Sequence, residues 1–342
     1  MPALIRSASL TNYADICASV GLDAHRLLAE AGLPVACLRD PDLKIPAEKV
    51  GALLERSAEL SGVPTFGLRM AETRRLSNLG PIGLAVREES TLRGALEALR
   101  RYGHLHTEAT STVLEDAGDA TILRVESIGI EQGEPQRQSV ELIIGVIYRL
   151  LNVLLGASWR PRAVCFTHTA PADRSLHERL FGPVVQFGQE FNGVVLNARD
   201  LDRPLPSSDP VMARYARQYL EGISASEGST LSREVRQLVL LLLPSGHGSI
   251  DDVAQHLGVS RRTIHRHLAQ DGETFSSILE TVRTELARRY LAQPGRPLAE
   301  VAVLLGFSEP SAFSRWFRGA FGCSARQWRL ERSRGTGQGP VT

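Results

Sequence analysis

The sequence predicts two domains of different fold class: an α+β domain, then an all-α domain in which a linker helix joins two helix-turn-helix motifs. The length of 342 residues corresponds to about two average domains. Helical and strand-like hydrophobic periodicities occupy separate blocks up to about residue 200, which is typical of an α+β domain. A motif of eight residues recurs at an offset of 48 residues near the carboxyl end, and this repeat predicts the all-α domain.

The composition favours a globular protein of the cytoplasm. Hydrophobic residues make up 43% of the chain and charged residues 23%, which excludes a mostly disordered or fibrous chain. The first ten residues contain no apolar leader. The apolar run 142–159 carries Arg149 and Asn152, so we expect a buried core helix there and no membrane partner. Four scattered cysteines without a CxxC pair suit a reducing compartment: Cys17, Cys37, Cys165 and Cys323.

The α+β domain is expected over residues 1–221. Apolar residues at helical spacing predict helices over 13–30, 46–61 and 90–102. Alternating apolar residues predict strands over 111–115 and 120–126, with the turn AGD at 117–119 between them. The remaining elements are predicted as a long helix over 134–155, a strand over 161–168, a short helix over 173–180, strands over 184–187 and 193–197, a loop over 200–210 and a helix over 210–220.

A linker rich in serine and glycine is expected over 222–231, the all-α domain over 232–331 and a disordered tail over 332–342. From residue 232 onward the chain has 15 arginines and 10 acidic residues, a balance of +5. The preceding residues have 24 basic and 28 acidic groups. The basic balance favours a polyanionic partner for the carboxyl-terminal domain.

Each copy of the repeat has the physical features of a helix-turn-helix. Residues 253–260 (VAQHLGVS) recur as residues 301–308 (VAVLLGFS). The shared glycine can end the first helix in a left-handed conformation, and the apolar residue after it can plug the turn. The shared serine, Ser260 or Ser308, is expected to cap the second helix.

The second helices are expected over about 261–268 and 309–317. A short helix that is polar on one face can enter the major groove of DNA. One periodic helix, with its apolar stripe running from Phe275 to Tyr290, is expected to join the two motifs, and the sequence PGRP at 294–297 would stop it.

These residues resemble the AraC/XylS family of transcription regulators. The stretch GFSEPSAFSRWFR at 306–318 resembles the second-motif signature of that family, and GCSARQWR at 322–329 resembles its closing segment. Two departures are visible: Ala325 stands where the family usually has proline, and the segment 268–275 is one residue shorter than in the best-known members. The segment 79–93, LGPIGLA followed by STLR, is similar to the arabinose-binding-like amino-terminal domain of one subgroup.

The resemblance implies a non-enzymatic, effector-responsive activator of a catabolic or virulence-type operon. Its expected partners are double-stranded promoter DNA, RNA polymerase, a small-molecule effector and a second copy of the chain in a homodimer. Effector binding would change domain contacts or the dimer state, which requires the effector to bind the two states with different affinity. Whether the protein activates or represses, and which promoter it binds, stay open at this point.

Residues expected to contact DNA lie on the polar faces of the two second helices. In the first motif Ile264 and Leu268 are expected to face the core, and in the second Phe313 and Phe317. Arginine is suited to guanine because its fork reaches O6 and N7 together. A phosphate contact or a solvated surface charge is the alternative for any one of the arginines. The resemblance points to most of the same positions, and the predicted contacts are Arg261, Arg262, His265, Arg266, Pro310, Ser311, Ser314 and Arg315.

Other activities were weighed against this hypothesis. The chain contains no GxSxG, GxxxxGK[ST], HExxH or GxGxxG motif, and no cysteine lies in a repair-methyltransferase type of active site. The spacing His104-x-His106 lacks a third metal ligand, so we expect no metal and no cofactor. The alternative is a haem or gas sensor, or an enzymatic domain, tethered to DNA; His104, His106 or His168 would be its axial ligand. Effector contacts, with core packing as the alternative, are assigned to Tyr102, His104, Phe166 and His168.

Overall fold

The structure is a computed structural model that describes residues 3–127, 136–206, 208–226, 230–291 and 296–335. It divides into two compact units, Met1–Ser224 and Ala225–Thr342. The first unit contains helices and β-sheet, whereas the described part of the second is helical, as the sequence predicts.

The amino-terminal half of the first unit is mainly helical. Strand β1 (Leu4–Arg6) pairs antiparallel with β2 (Lys44–Pro46), and neither was predicted. The helices are α1 (Tyr13–Ser19), α2 (Ala24–Glu30), α3 (Ala47–Ser61), α4 (Phe66–Glu72), α5 (Pro81–Glu88) and α6 (Leu92–Tyr102). The prediction of a single helix over 13–30 is wrong, because two helices occupy this segment. Gly21 adopts a φ of +75°, which ends the first helix. The Asp23 carboxylate accepts hydrogen bonds from the backbone N–H groups of His25 and Arg26, and this cap starts a second helix.

A five-stranded sheet follows in the order β3-β4-β7-β5-β6. Its strands are β3 (Thr110–Ala117), β4 (Ala120–Ser127), β5 (Ala163–Cys165), β6 (Val185–Gln186) and β7 (Asn192–Asn197). All neighbouring pairs are antiparallel except β5 with β6. The predicted turn between the first two is confirmed, and Gly118 takes the required positive φ. Gly193 lets β7 approach β4 closely, since a Cβ there would lie 2.4 Å from the Leu123 carbonyl oxygen.

Helix α7 (Arg137–Leu155) is the core helix of the first unit, as predicted. It is long and apolar enough to cross a membrane by length and composition, but most of its apolar stretch is buried inside the unit. Two glycines allow it to pack closely on α4. A Cβ on Gly67 would collide with the backbone of Gln138, and one on Gly145 would lie 2.5 Å from the Cβ of Ala71.

The unit closes with α8 (Ser175–Phe181) and α9 (Pro210–Ser226). Helix α9 runs into the linker expected over 222–231, and that expectation needs correction. Ser224 is buried and its hydroxyl lies 3.1 Å from His104 Nε2, so the helix keeps a tertiary partner past Gly222. The predicted linker residues 227–229 lie outside the described residues.

The second unit consists of α10 (Thr230–Leu242), α11 (Ile250–Leu257), α12 (Arg261–Gln270), α13 (Phe275–Leu291), α14 (Leu298–Leu304), α15 (Pro310–Phe321) and α16 (Ala325–Gly335). Inward-facing Val253, Ile264 and Val282 are completely buried, so α11, α12 and α13 share one core. Helix α16 extends four residues into the tail expected to be disordered over 332–342; residues 336–342 lie outside the described residues. Ala325 begins this helix, a position that proline also suits.

Candidate nucleic-acid interface

The first helix-turn-helix is formed by α11 and α12. Ser249 and Asp252 form a capping box at the start of α11, and hydrogen bonds from Ser249 lower the pKa of the Asp252 carboxyl. Gly258 ends that helix with a φ of +65°. The Ser260 hydroxyl accepts a hydrogen bond from the Thr263 backbone N–H at 3.2 Å, so it caps α12 as predicted.

Helix α12 presents a polar face opposite its buried side. Ile264 and Leu268 are fully buried, as expected. The four side chains predicted to contact DNA are exposed: Arg261, Arg262, His265 and Arg266. They differ in their partners, because the Arg261 guanidinium forms an ion pair with Asp251 of α11.

The other three side chains of this face make no side-chain hydrogen bond or ion pair within the described part of the chain. Their donors are therefore available to an external acceptor. A guanidinium held by a neighbouring carboxylate must give up that partner before it binds a base or a phosphate, which favours Arg262 and Arg266 over Arg261 as primary contacts.

The second motif is formed by α14 and α15. Gly306 takes a φ of +71° at the turn, as predicted, and a Cβ there would lie 2.8 Å from Leu243 Cδ1. The expectation that Ser308 caps the second helix is wrong. The capping residue is Glu309, with no side-chain bond, and Pro310 occupies the first helical position. Proline fixes φ at a helical value and suits the first helical position, where a backbone N–H has no partner within the helix.

The linker helix α13 holds the turn of the second motif directly. Arg283 Nε donates a hydrogen bond to the Leu305 carbonyl at 3.0 Å, and its guanidinium lies 4.4 Å from the ring centroid of Phe307. Burial lowers the pKa of Arg283. Trp316 Nε1 on α15 donates to Glu280 Oε1 on α13 at 2.6 Å. The linker helix thus holds the second motif at two points, one in its turn and one in its recognition helix.

Helix α15 repeats the facing pattern of α12. Phe313 and Phe317 are buried, and the four predicted contact residues are exposed: Pro310, Ser311, Ser314 and Arg315. The Ser314 hydroxyl donates to the Pro310 carbonyl at 2.9 Å, so its oxygen is left as an acceptor. Arg315 has no hydrogen-bond or ion-pair partner in the part of the chain that the structure describes. Each recognition helix therefore carries at least one arginine that is free to bind.

The four residues predicted to contact an effector fall into two separate groups. Tyr102 and His104 lie against α9, where the tyrosine hydroxyl is 3.4 Å from Glu221 Oε1. Burial is the main cause that raises the pKa of Tyr102. Both ring nitrogens of His104 have partners, the Arg101 carbonyl and the Ser224 hydroxyl.

Phe166 and His168 form the second group, with ring centroids 5.1 Å apart. The structure adds two residues there that sequence reasoning missed, Glu141 and His177, both fully buried. The available signal was the one acidic residue of the largely apolar helix 137–155, four residues after Arg137.

The histidines considered for a metal or haem occupy different surroundings. His106 Nδ1 is enclosed, and burial together with Arg6, Arg74 and Lys44 lowers the pKa of His106 to about 3. Among the described residues, no group of three or more His, Cys, Asp or Glu side chains is arranged to hold a metal ion.

Comparisons with known proteins agree with the geometry. Residues 21–205 match the family model described as the arabinose-binding domain of AraC transcription regulators, and residues 253–331 match a helix-turn-helix domain. The chain is 34% identical over 328 residues to the transcriptional regulator VirS of Mycobacterium tuberculosis, covering 96% of both chains. It is 28% identical over 309 residues to the ornithine utilization regulator of Pseudomonas aeruginosa, covering 89% of this chain and 90% of that protein. A shorter match of 31% over 146 residues, 40% of this chain and 44% of the other, is to the transcriptional activator NphR of Rhodococcus.

Proposed function

The chain belongs to the AraC family of DNA-binding transcription regulators, and we propose that its α12 and α15 dock in successive major grooves of one promoter. The observation that carries this proposal is the matched pair of recognition helices. Helix α12 shares a buried core with α13, and α15 is hydrogen-bonded to α13. Both expose a polar face with an arginine that has no partner among the described residues. An α-helix fits the major groove, and two motifs on one support can read adjacent turns of a duplex, with DNA bending if both are to enter.

In this proposal the arginines read bases and the smaller side chains adjust the fit. Arg266 and Arg315 bind guanine edges, with Arg262 and His265 beside the first and Ser311 beside the second. The Ser314 oxygen accepts from a base amino group, and Pro310 contacts a thymine methyl group. Arg261, which is paired with Asp251, contributes a phosphate contact.

We also propose that the protein is a non-enzymatic activator, controlled by a small effector, that recruits RNA polymerase. The similarity to the transcriptional activator NphR supports activation, and the similarity to the ornithine utilization regulator supports a metabolite as effector. The protein would work in the cytoplasm, on the nucleoid when bound.

A homodimer is part of the same proposal. Large apolar side chains are exposed on α9 (Val211, Met212, Tyr215 and Tyr219), and a second copy of the chain would cover them.

The test is selection of binding sites from random duplex DNA with the purified full-length protein, followed by a salt titration on the enriched sequence. The proposal expects two boxes about one helical turn apart, with affinity that falls steeply as salt rises. Recovery of one box only would contradict the docking of both helices. Failure to enrich any sequence, with and without added metabolite extracts, would contradict regulation of a specific promoter.

A further inference from the structure

A buried carboxylate in the first unit is in contact with three polar side chains. Glu141 of α7 is fully buried. Its Oε1 accepts a hydrogen bond from Arg137 Nε at 2.8 Å, and it lies 3.1 Å from His177 Nε2 and 3.4 Å from His168 Nε2. The four side chains come from α7, from α8 and from the segment after β5, so three separate parts of the chain converge on one carboxylate.

Each of these side chains also has a buried polar atom without a hydrogen-bond partner among the described residues: Glu141 Oε2, Arg137 Nη2, His177 Nδ1 and His168 Nε2. A buried polar group without a partner costs about 1–3 kcal/mol, and native proteins keep few of them. Four such atoms in one contact group indicate that the protein alone does not complete the site.

The neighbouring hydrogen bonds define which of these atoms are acceptors. His168 Nδ1 faces the Thr169 carbonyl at 3.0 Å, so it carries the proton and donates. Burial lowers the pKa of His168, which leaves Nε2 of the neutral ring as a lone-pair acceptor. His177 Nε2 donates to the Glu141 carboxylate, which leaves Nδ1 as the ring nitrogen with the lone pair. With Glu141 Oε2 the site offers three unused acceptors, and Arg137 Nη2 offers one unused donor.

The charges of the group restrict the net charge of a ligand that can bind there. The Glu141 carboxylate and the Arg137 guanidinium cancel, so a ligand of zero net charge adds no uncompensated charge to a buried site. A metal cation is disfavoured because Arg137 already donates to Oε1 and repels positive charge. An ammonium group suits the acceptors, and a carboxylate suits the free guanidinium nitrogen.

Aromatic rings line one side of the group, and two of its side chains are partly exposed. The ring of Phe187 lies 5.2 Å from that of His177 and 5.5 Å from that of His168, and Phe166 stacks on Phe187 at 5.6 Å. The side chains of Arg137 and His168 are 26% and 16% exposed, so the group reaches the surface on one side.

We propose that the group formed by Arg137, Glu141, His168 and His177 is the effector site, and that it takes a zwitterion of the α-amino-acid type. The ligand ammonium binds Glu141 Oε2 and His168 Nε2, and the ligand carboxylate binds Arg137 Nη2. His177 orients the Glu141 carboxylate through its Nε2 hydrogen bond to Glu141 Oε1. This inference rests on the proposed function, since it assigns the effector of that regulator, and it replaces Tyr102 and His104 as effector contacts.

Binding is tested without DNA, so that its failure is distinct from a failure of promoter recognition. The full-length protein is titrated calorimetrically with each of the proteinogenic L-amino acids, and the tightest binder is compared with its amine and its carboxylic acid analogues. The proposal expects one or a few amino acids to bind, and each analogue to bind at least about tenfold more weakly, since each loses one charged partner. If none of the amino acids binds, or if an analogue binds equally well, the assignment is overturned.

Two variants locate the site. Glu141→Gln keeps the shape of the side chain and Arg137→Met removes the free donor at the partly exposed edge; each should weaken binding at least about tenfold. The matched control is Glu88→Gln, which changes a buried, ion-paired carboxylate of α5 and should leave binding unchanged. Thermal unfolding without ligand reports whether each variant folds. If Glu141→Gln does not fold, the affinity of Arg137→Met tests the proposal. Unchanged affinity in either variant, once it is shown to fold, would refute the proposal.

Discussion

At the scale of single residues, the arginines of the two recognition helices differ in their ion-pair partners. Arg261 is paired with Asp251, whereas Arg266 and Arg315 are exposed and have no partner in the described residues. A free guanidinium binds a base edge without first losing an internal contact. The same exposure means that truncating it leaves no cavity in the protein.

We predict that Arg266→Ala or Arg315→Ala costs about 1–3 kcal/mol of binding at the selected site and relaxes the preference at one base position. Arg261→Ala is the matched control on the same helix; it should weaken all sequences alike, because its predicted contact is a phosphate. Competition binding against a set of single-base variants measures both effects. A loss with Arg266→Ala that is equal on every sequence would contradict base reading.

A second residue-scale prediction concerns His106. Its pKa of about 3 lies below the ordinary 6.5, so the unfolded chain binds a proton over this interval and the folded chain does not. This contribution to stability is present above pH 6.5 and is lost as pH falls toward 3, by at most about 1.4 kcal/mol per pH unit. Urea unfolding at pH 7 and pH 4.5 should show a smaller loss for His106→Gln than for the parent chain. His25→Gln, at an exposed histidine of α2, should match the parent; an identical loss in all three proteins would show that His106 does not contribute.

At the scale of elements, the two motifs start their recognition helices in different ways, although their sequences are nearly the same. Ser260 makes a side-chain cap on α12, while Ser308 lies one residue before the cap of α15 and Pro310 starts that helix. We predict that Ser260→Ala destabilises the second unit by about 1 kcal/mol. Ser308→Ala, its matched control, should have no measurable effect on unfolding by urea. Equal losses would mean that both serines act as caps.

Sequence periodicity predicted α12, α13 and α15 because each buries one regular apolar stripe, and this also placed the exposed faces. It failed where tertiary contacts or local backbone geometry override the pattern. Gly21 divides the segment 13–30, and the contact of Ser224 with His104 keeps α9 helical beyond Gly222. The sequence did not predict the group around Glu141, for a different reason. Its members lie up to 40 residues apart, and only the tertiary packing of α7, α8 and the segment after β5 brings them into contact.

At the scale of the whole molecule, one chain carries two helix-turn-helix motifs in one helical unit. The linker helix has 17 residues and is therefore about 25 Å long. It is bonded to the second motif through Arg283 and Glu280, so the spacing of the two recognition helices is set by the packed unit and not by a flexible tether. A fixed spacing in the protein demands a fixed spacing in the DNA.

We predict that inserting either about 5 or about 10 base pairs between the two selected boxes weakens binding at least about tenfold, since one recognition helix then loses its bases. The 5-pair insertion turns the second box to the opposite face of the duplex. The 10-pair insertion restores the face but moves the box by about 34 Å, beyond the reach of α13. Gel-shift titrations of the three duplexes, with a duplex that holds only the first box as the control, measure the losses. Recovery of affinity at 10 pairs would contradict reading by one rigid unit, because it requires the boxes to be read by motifs that can move apart, as on two subunits of a dimer.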